Sequence, residues 1–220
     1  MIHISETLAI QTVEDFLGGD ETARLVKIMD TEATGWRPRR QAEILPAPAL
    51  AQEILSVATV RALPAIRRVM PSVAAFAPWG YTEMTAGQCV PSHVDGITSP
   101  RTAPRRIGRL RVVIAEADEG GRLYMETTAD PAPWTTTVLG VSDGYVPGTP
   151  LARSLPHEMA EDPHAAEDQW LAATVRTRWL ADAGRGVAVA YGAQLIHGVT
   201  PVVRGRLRLL VTDLTDAPVS

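Results

Sequence analysis

From residue 73 onward the sequence consists of short apolar runs separated by glycine and proline, which is the pattern of β-strands. A β-branched run at 111–115 is followed by Gly120 and Gly121 and then by an apolar run at 122–125, which predicts a hairpin. Further strands are predicted at residues 186–191, 195–203 and 206–214. Many short strands with few long helices predict a mainly β (α+β) fold of the sandwich or jelly-roll type.

Residues 1–72 show helical periodicity instead, and we expect them to support the β-core at 73–214. Asp20 is a suitable cap for a helix over about 21–29, whose apolar face consists of Leu25, Val26, Ile28 and Met29. A second helix is predicted over about 49–63, where Pro64 either interrupts it or opens a further turn as a first helical residue. Its predicted stripe consists of Ile54, Val57, Ala58 and Arg61.

Residues 141–182 break the strand pattern and form an insertion in the β-core. Its second half, about 164–182, has Leu171, Val175 and Trp179 at four-residue spacing, which predicts a helix that ends at Gly184. A loop-and-helix insertion beside a site is typical of a substrate lid. A surface elaboration that only covers a sheet edge is an equally good interpretation.

The bulk composition restricts the class of protein. The length of 220 residues suits one domain over residues 1–220, and a formal net charge of -4 argues against bulk binding of nucleic acid or anionic membranes. A single cysteine, Cys89, excludes an internal disulfide and fits a reducing compartment. Residues 1–11 do not resemble a signal peptide, and we expect no apolar stretch long enough to span a bilayer. The expected location is cytoplasmic.

The first candidate for chemistry is the pair His93 and Asp95, in Ser92-His-Val-Asp-Gly96. Residues two apart on a strand point to the same face, so this imidazole and this carboxylate can bind one ion. The pair alone is a weak signal, because a His-x-Asp pair at a strand end is more often a hydrogen-bonded surface pair than a metal site.

His197 strengthens the signal. It lies among apolar strand residues, where a lone histidine is more often a hydrogen-bonded core residue. Two histidines and one aspartate, however, form the facial triad that binds non-haem Fe(II) and leaves coordination positions open.

A strand with two arginines follows His197. Arg206 and Arg208 alternate with leucines, so both should face the same side as Leu210. A buried arginine is costly unless it meets an anion, and a dicarboxylic co-substrate would supply one.

With these features in this order, the sequence resembles the Fe(II)/2-oxoglutarate-dependent dioxygenases, in particular the branch similar to prolyl hydroxylases. The resemblance covers three blocks. Residues 82–95 are similar to the strand that leads through a glycine turn into the His-x-Asp pair, and 109–125 to the strand after it. Residues 186–214 contain the distal histidine, Val-x-Pro-Val, a glycine turn and an arginine. The resemblance implies a double-stranded β-helix (jelly roll) core, with N-terminal helices packed on one sheet.

The resemblance also implies a set of site residues. His93, Asp95 and His197 would bind Fe(II), and Arg208, with Thr212 four residues later, would bind the co-substrate 2-oxoglutarate. Arg206 is the alternative for that role. The implied reaction is hydroxylation of a C–H bond with O₂ and release of succinate and CO₂. Asp95 occupies the position that related halogenases leave vacant for a halide, so halogenation is not expected.

The chain departs from the family at two positions where relatives often have a tyrosine that helps to hold the co-substrate carboxylate. It has Met84 and Ile114 there. Thr82, Thr136 and Thr212 are candidate replacements, and the sequence does not choose among them.

The expected substrate is a small molecule, such as an amino acid or a natural-product intermediate, and a protein side chain is the alternative. Five arginines after the His-x-Asp pair either receive an anionic group of the substrate or form a solvated loop: Arg101, Arg105, Arg106, Arg109 and Arg111. Trp134, Trp170 and Trp179 either line a pocket or pack in the core. A non-enzymatic jelly-roll protein with a structural Zn(II) is the other class of function, and it would require Cys89 as a ligand.

Overall fold

The computed structural model describes residues 1–32, 44–97, 99–153, 169–181 and 183–219. The helices are α1 (Ile4–Thr7), α2 (Gly19–Glu32), α3 (Ala49–Ile66) and α4 (Gln169–Ala172), and a short 3-10 helix spans Val141–Asp143. The strands are β1 (Ile10–Val13), β2 (Leu45–Pro46), β3 (Ala75–Phe76), β4 (Gly80–Thr85), β5 (Val90–His93), β6 (Arg106–Ala115), β7 (Glu119–Gly120), β8 (Leu123–Thr127), β9 (Trp134–Leu139), β10 (Thr149–Ala152), β11 (Thr177–Leu180), β12 (Ala188–Gly192), β13 (Ile196–Val199), β14 (Val202–Arg204) and β15 (Arg206–Thr215).

Two antiparallel sheets form the core. The major sheet has seven strands in the order β1-β12-β6-β15-β4-β2, with β3 paired to β15. The minor sheet has four strands in the order β11-β8-β13-β5. Strands from the middle and the end of the chain alternate in both sheets, which is the arrangement of a jelly roll. The mainly β fold predicted from the sequence is therefore confirmed.

Period-two alternation along β6 and β15 determines what each face of the major sheet contacts. One face is fully buried against α2 and α3, through Leu110, Val112, Ile114, Leu210 and Leu214. The other face of β15 carries Leu207, Leu209 and Val211, which pack with Val90 and Val199 of the minor sheet. The N-terminal helices thus cover one face, as predicted, and the minor sheet covers the other.

The two long helices differ from the sequence prediction in different ways: α2 buries the predicted Leu25, Ile28 and Met29 but begins earlier, and α3 buries another stripe. α2 begins at Gly19, so Asp20 lies in its first turn and does not precede the helix. α3 continues through Pro64 to Ile66, whose side chain is fully buried. The buried stripe of α3 consists of Ala51, Leu55, Ala58, Thr59, Ala62, Leu63 and Ile66. Of the predicted stripe only Ala58 belongs to it, and Val57 is exposed, because the helix is rotated by about one residue from the predicted orientation.

α3 also contradicts the expectation that no segment could span a bilayer. By length and composition this helix is apolar enough to cross a membrane. In the fold, Leu55, Ala58 and Ile66 are fully buried in the core that the helices share with the major sheet. Burial of such side chains contributes about 1.5–3 kcal/mol for each leucine or isoleucine, which accounts for the apolar composition of α3.

The predicted hairpin across Gly120 and Gly121 is wrong. β6 belongs to the major sheet and β8 to the minor sheet, and the two glycines lie where the chain passes between the sheets. Gly120 has a φ of 80° and pairs with Val202 of β14. A Cβ atom at this position would overlap the carbonyl oxygen of Pro201, so only glycine fits here.

The predicted long helix in the insertion is also wrong within the described residues. α4 covers only four residues, and the chain then forms β11, an edge strand paired with β8. Leu171 is buried, whereas Val175 and Trp179 are exposed, and Gly184 follows a strand and not a helix. Residues 154–168 and 182 of the predicted insertion lie outside the described residues, so its role as a lid stays a prediction.

Candidate metal centre

Two neighbouring strands of the minor sheet bring the three predicted ligands together. His93 is the last residue of β5 and lies directly opposite His197 of β13. Asp95 follows two residues later, where the chain turns at Gly96 (φ 71°). The Gly96 N–H donates to the carbonyl oxygen of Ala193 at 2.8 Å, which fixes this turn. The side chain of Val94, between the two ligands, packs away from them against Leu171 and its neighbours in the insertion.

The three side chains form a compact and buried cluster. The ligand atoms of His93, Asp95 and His197 all lie within 4.8 Å of one another. Nε2 of His93 is 3.8 Å from Oδ1 of Asp95, and Nε2 of His197 is 3.8 Å from Oδ2. These separations leave room for one ion bonded to all three residues at about 2 Å.

Hydrogen bonds orient both imidazole rings. Nδ1 of His93 is 3.0 Å from the carbonyl oxygen of Pro91, and Nδ1 of His197 is 3.0 Å from that of Leu195. A carbonyl oxygen only accepts, so each Nδ1 carries the proton and Nε2 keeps its lone pair for a metal. Burial, followed by the neighbouring His197, lowers the pKa of His93 to about 3. The ring is therefore in the neutral form that binds metals.

Arg109 holds the carboxylate of Asp95 from the major sheet. Its Nη1 lies 3.0 Å from Oδ1 of Asp95, and its Nε donates to Asp213 at 3.1 Å. Burial by itself raises the pKa of Asp95, but the charge of Arg109 and the two histidines outweigh it and hold that pKa below its ordinary value. Asp95 is thus a carboxylate in a fixed orientation.

The second carboxylate oxygen of Asp95 tests whether the cluster fits a metal. Oδ2 is buried and accepts no hydrogen bond from any residue in the described part of the chain. An unsatisfied buried carboxylate oxygen is costly, and a divalent cation at the cluster would satisfy it. Two imidazoles and one carboxylate on one side of an ion are the ligand set of the non-haem Fe(II) oxygenases. The cluster fits Fe(II).

A cavity between the two sheets reaches the histidines. Its apolar walls include Met84, Val90, Leu209 and Val211, and its polar residues besides the histidines are Thr82, Arg109, Arg111 and Tyr191. The ring of Tyr191 packs against His197, with 4.5 Å between ring centroids. A second cavity continues from Arg111 towards Gly120 and the edge of the sheets.

The two arginines that the sequence assigned to 2-oxoglutarate lie on the other face of β15. Arg208 donates from Nε to the phenolic oxygen of Tyr81 at 2.7 Å, and its Nη1 is 2.9 Å from Asp30 of α2. Arg206 is about half exposed and pairs with Glu83 at 3.2 Å. Both share the face of Leu210, as predicted, but the helices cover that face. The structure therefore brings neither arginine into the cavity with the histidines.

The two positions that depart from the family pattern, Met84 and Ile114, also lie on opposite faces of the major sheet. Met84 lines the cavity, whereas Ile114 faces the helices, so position 114 does not belong to the site. Of the three candidate hydroxyl donors, Thr82 lines the cavity. Thr212 donates to a backbone carbonyl on the opposite face, and Thr136 is exposed.

Four of the five arginines after the His-x-Asp pair are neutralised by acidic side chains: Arg101 by Asp143, Arg105 by Asp216, Arg106 by Asp213, and Arg109 by Asp95 and Asp213. They do not form a joint anion site at the mouth of the cavity. Arg111 differs from them, because no carboxylate of the described residues pairs with it.

The remaining predicted residues lie outside the cavity. Trp134 and Trp170 pack against the cluster of Val94 and Leu171, and Trp179 is exposed on β11. Cys89 is not part of the metal-binding cluster found among the described residues. The structural zinc alternative thus lacks the cysteine ligand that it required.

The sequence analysis named Arg111 only as one of five arginines that either receive an anionic group of the substrate or form a solvated loop, and it missed Tyr191 as a residue of this cavity. The signal was available in β6, where Arg109 and Arg111 alternate with Leu110 and Val112 and must share the face opposite to these buried residues. The alternation was applied to β15 but not to β6. Tyr191 had no comparable signal, because it ends an apolar run that is buried on both faces.

No protein-family model and no curated protein matches the sequence. Solved structures do match it over almost the whole chain. A viral collagen prolyl hydroxylase from Paramecium bursaria Chlorella virus-1, in its 2OG complex, is 12% identical with a TM-score of 0.54, over 94% of this chain and 95% of that chain. A Pseudomonas putida prolyl-4-hydroxylase is 15% identical with a TM-score of 0.56, over 94% and 93%. HygX from Streptomyces hygroscopicus, with nickel and 2-oxoglutarate bound, is 13% identical with a TM-score of 0.57, over 96% and 84%. The chain therefore has the jelly-roll fold of the 2-oxoglutarate oxygenases, which is the fold that the sequence resemblance implied.

Proposed function

We propose that this protein is an Fe(II)- and 2-oxoglutarate-dependent oxygenase that hydroxylates an unactivated C–H bond of a small molecule. The observation that carries the proposal is the cluster of His93, Asp95 and His197. Both imidazoles present Nε2 to the same point as the carboxylate, and one carboxylate oxygen has no hydrogen-bond donor among the described residues. The similarity to structures that contain 2-oxoglutarate supports the same assignment.

The residues of the chain hold and shield this centre. His93 and His197 would donate two nitrogen ligands, and Asp95 would supply one oxygen ligand and a negative charge. Arg109 keeps the carboxylate in place through its 3.0 Å contact. The apolar walls of the cavity, including Met84, exclude bulk water from the reacting atoms. When bound, Fe(II) and 2-oxoglutarate would supply the oxidising chemistry with O₂, and succinate and CO₂ would be released.

Anaerobic reconstitution tests the proposal directly. Adding 2-oxoglutarate to the protein loaded with Fe(II) is expected to produce the visible metal-to-ligand charge-transfer band of a chelated 2-oxo acid. His197→Ala should abolish the band, because it removes one of the three ligands. His3→Asn is the matched control, since the exposed His3 caps α1 without belonging to the cluster and asparagine retains the capping ability. A wild-type protein without a band at saturating 2-oxoglutarate contradicts the proposal.

The burial of the cluster supports a compact substrate. The side chains of His93, Asp95 and His197 are at most 8% exposed, so the oxidised carbon must enter a narrow opening. A small molecule or a single side chain of a larger molecule meets this requirement. The expected anionic character of the substrate loses its support, because four of the five candidate arginines are neutralised within the protein.

One observation favours a protein side chain as the second candidate substrate. All four residues of β11 are exposed, and among the described residues this strand is at the edge of the minor sheet that carries the ligands. An edge strand with open backbone groups can pair with an extended peptide. Succinate release measured against free amino acids and against unstructured peptides separates the two classes. Release stimulated by peptides alone would favour the second candidate.

A further inference from the structure

Arg111 occupies an unusual place in this fold. It lies in the middle of β6 and is 5% exposed, and it lines the cavity between the two sheets. Among the described residues, the other arginines inside or beside the core pair with carboxylates, such as Arg109 with Asp95 and Arg176 with Glu126. For Arg111, neither an acidic partner nor a hydrogen bond is found in the described part of the chain.

A lone guanidinium in this environment is energetically unfavourable. Burial lowers the pKa of Arg111 to about 10, and among the described residues the opposing influence comes from Tyr191. The side chain is still protonated at neutral pH, so the fold retains a desolvated positive charge. Such a charge costs several kcal/mol unless an anion or ordered water offsets it. The buried guanidinium of Arg111 therefore favours the binding of an anionic ligand.

The distance between Arg111 and the metal centre suits a dicarboxylic acid. Arg111 is two residues from Arg109 along β6, which places the two side-chain origins about 7 Å apart. Arg109 contacts the ligand Asp95, so it marks the metal end of the cavity. A five-carbon dicarboxylate with C–C bonds of about 1.5 Å extends over about 6 Å. An acid chelated at the metal would thus extend its second carboxylate towards Arg111.

A second polar group faces the same space. The hydroxyl oxygen of Thr82 is buried and has no hydrogen-bond partner among the described residues. Thr82 and Arg111 line the same cavity, and their strands, β4 and β6, lie on either side of β15. Thr82 is opposite Leu209, and Arg111 is opposite Val211. A carboxylate over these residues could accept hydrogen bonds from both the hydroxyl and the guanidinium.

β15 offers no alternative inside the cavity. The β15 residues that line this cavity are Leu209 and Val211, and neither can bind a carboxylate. Arg206 and Arg208 face the other way and are paired with acidic residues.

We propose that Arg111 of β6, assisted by Thr82, binds the distal carboxylate of 2-oxoglutarate, in the role that the sequence had assigned to an arginine of β15. The proposal rests on the proposed function, because it takes 2-oxoglutarate as the co-substrate. Arg111 is a binding residue and forms no ion pair or hydrogen bond with the metal ligands within the described residues.

Binding measurements without turnover test the assignment. The full chain is loaded with Mn(II) under anaerobic conditions, and dissociation constants for Mn(II) and for 2-oxoglutarate are measured by calorimetry. Arg111→Met should weaken 2-oxoglutarate binding about 100-fold, as expected for losing a two-point charge-assisted contact, and leave Mn(II) binding unchanged. Arg111→Lys should recover part of the loss, and Thr82→Val should weaken binding about 5-fold. Arg208→Met is the control and should bind 2-oxoglutarate like the wild type.

A shortened ligand separates a direct contact from a structural effect. 2-Oxobutyrate keeps the 2-oxo acid end but lacks the distal carboxylate, so wild type and Arg111→Met should bind it with the same affinity. Equal weakening of both acids in Arg111→Met, or a loss in Arg208→Met as large as that in Arg111→Met, overturns the assignment. Unchanged 2-oxoglutarate binding in Arg111→Met overturns the assignment of Arg111 but leaves the proposed function intact. A wild-type protein that binds Mn(II) but not 2-oxoglutarate overturns the proposed function as well.

Discussion

Replacing Arg208 by methionine tests whether this residue stabilises the fold between β15 and α2. The guanidinium donates to Tyr81 at 2.7 Å and pairs with Asp30 at 2.9 Å, while the Arg208 side chain is only 5% exposed. Removing one partner of a fully buried ion pair costs about 3–5 kcal/mol. The side chain of Asp30 is 56% exposed and is readily hydrated when its partner is lost, and methionine refills part of the volume. We therefore expect Arg208→Met to lower the free energy of unfolding by about 2 kcal/mol.

Arg206→Met is the matched control on the same strand and the same face. Arg206 is 51% exposed and has one ion pair, with Glu83, so its loss should cost about 0.5 kcal/mol or less. Urea unfolding of the apo-proteins gives both values, and the Arg208→Met melting temperature should fall by about 4–8 °C. Equal losses in the two variants, or a loss below about 0.5 kcal/mol in Arg208→Met, would refute the reasoning, because burial would then not set the cost.

Three further changes probe the core, a buried hydroxyl and the segment at Gly120 where the chain passes between the two sheets. Leu210→Ala removes a fully buried side chain and should cost about 3 kcal/mol in urea unfolding, while Val60→Ala on the exposed side of α3 should stay within about 0.5 kcal/mol. Tyr145 has a buried hydroxyl with no hydrogen-bond partner among the described residues, so Tyr145→Phe should stabilise the protein by about 1 kcal/mol at neutral pH. Burial raises the pKa of Tyr145 from 10.0 to about 12, so the unfolded chain loses this proton first as the pH rises between these values. Stability should therefore fall there by up to about 1.4 kcal/mol per pH unit, and a titration of Tyr145→Phe that shows the wild-type slope would exclude this cause. Gly120→Ala should destabilise by more than about 2 kcal/mol, whereas Gly87→Ala, with positive φ but open space around its Cβ position, should cost about 1 kcal/mol in the same unfolding assay.

The ligand cluster was accessible from the sequence because a short-range rule places it. Side chains two residues apart on a strand point to the same face of the sheet, so His93 and Asp95 were expected to converge. The same rule correctly placed Arg206 and Arg208 on one face with Leu210. It does not say which face, and here both faces of β15 are buried, one by helices and one by the minor sheet. The assignment of the co-substrate arginine could not be decided from alternation alone.

The errors in the helical and hairpin predictions have similar causes. A spacing of four, as in Leu171, Val175 and Trp179, is one helical turn but also two full periods of a strand, so it does not discriminate between helix and β11. Gly120 and Gly121 between two apolar runs indicate a change of direction, but the partner strands are chosen by distant parts of the chain. The helix register of α3 depends on which side meets the sheet, and an almost wholly apolar helix shows no preference.

The cross-strand pairing of His197 with His93 has a consequence for folding. The two ligands are roughly a hundred residues apart in the chain, so their pairing is a long-range contact that must overcome a large loop-closure entropy. An ion held between them would act as a removable cross-link that closes a very long loop, which in the chain-entropy limit is worth about 4–5 kcal/mol. The lifetime of the protein would then depend on the supply of iron, because the apo-protein would unfold and be degraded more readily than the metal-bound protein.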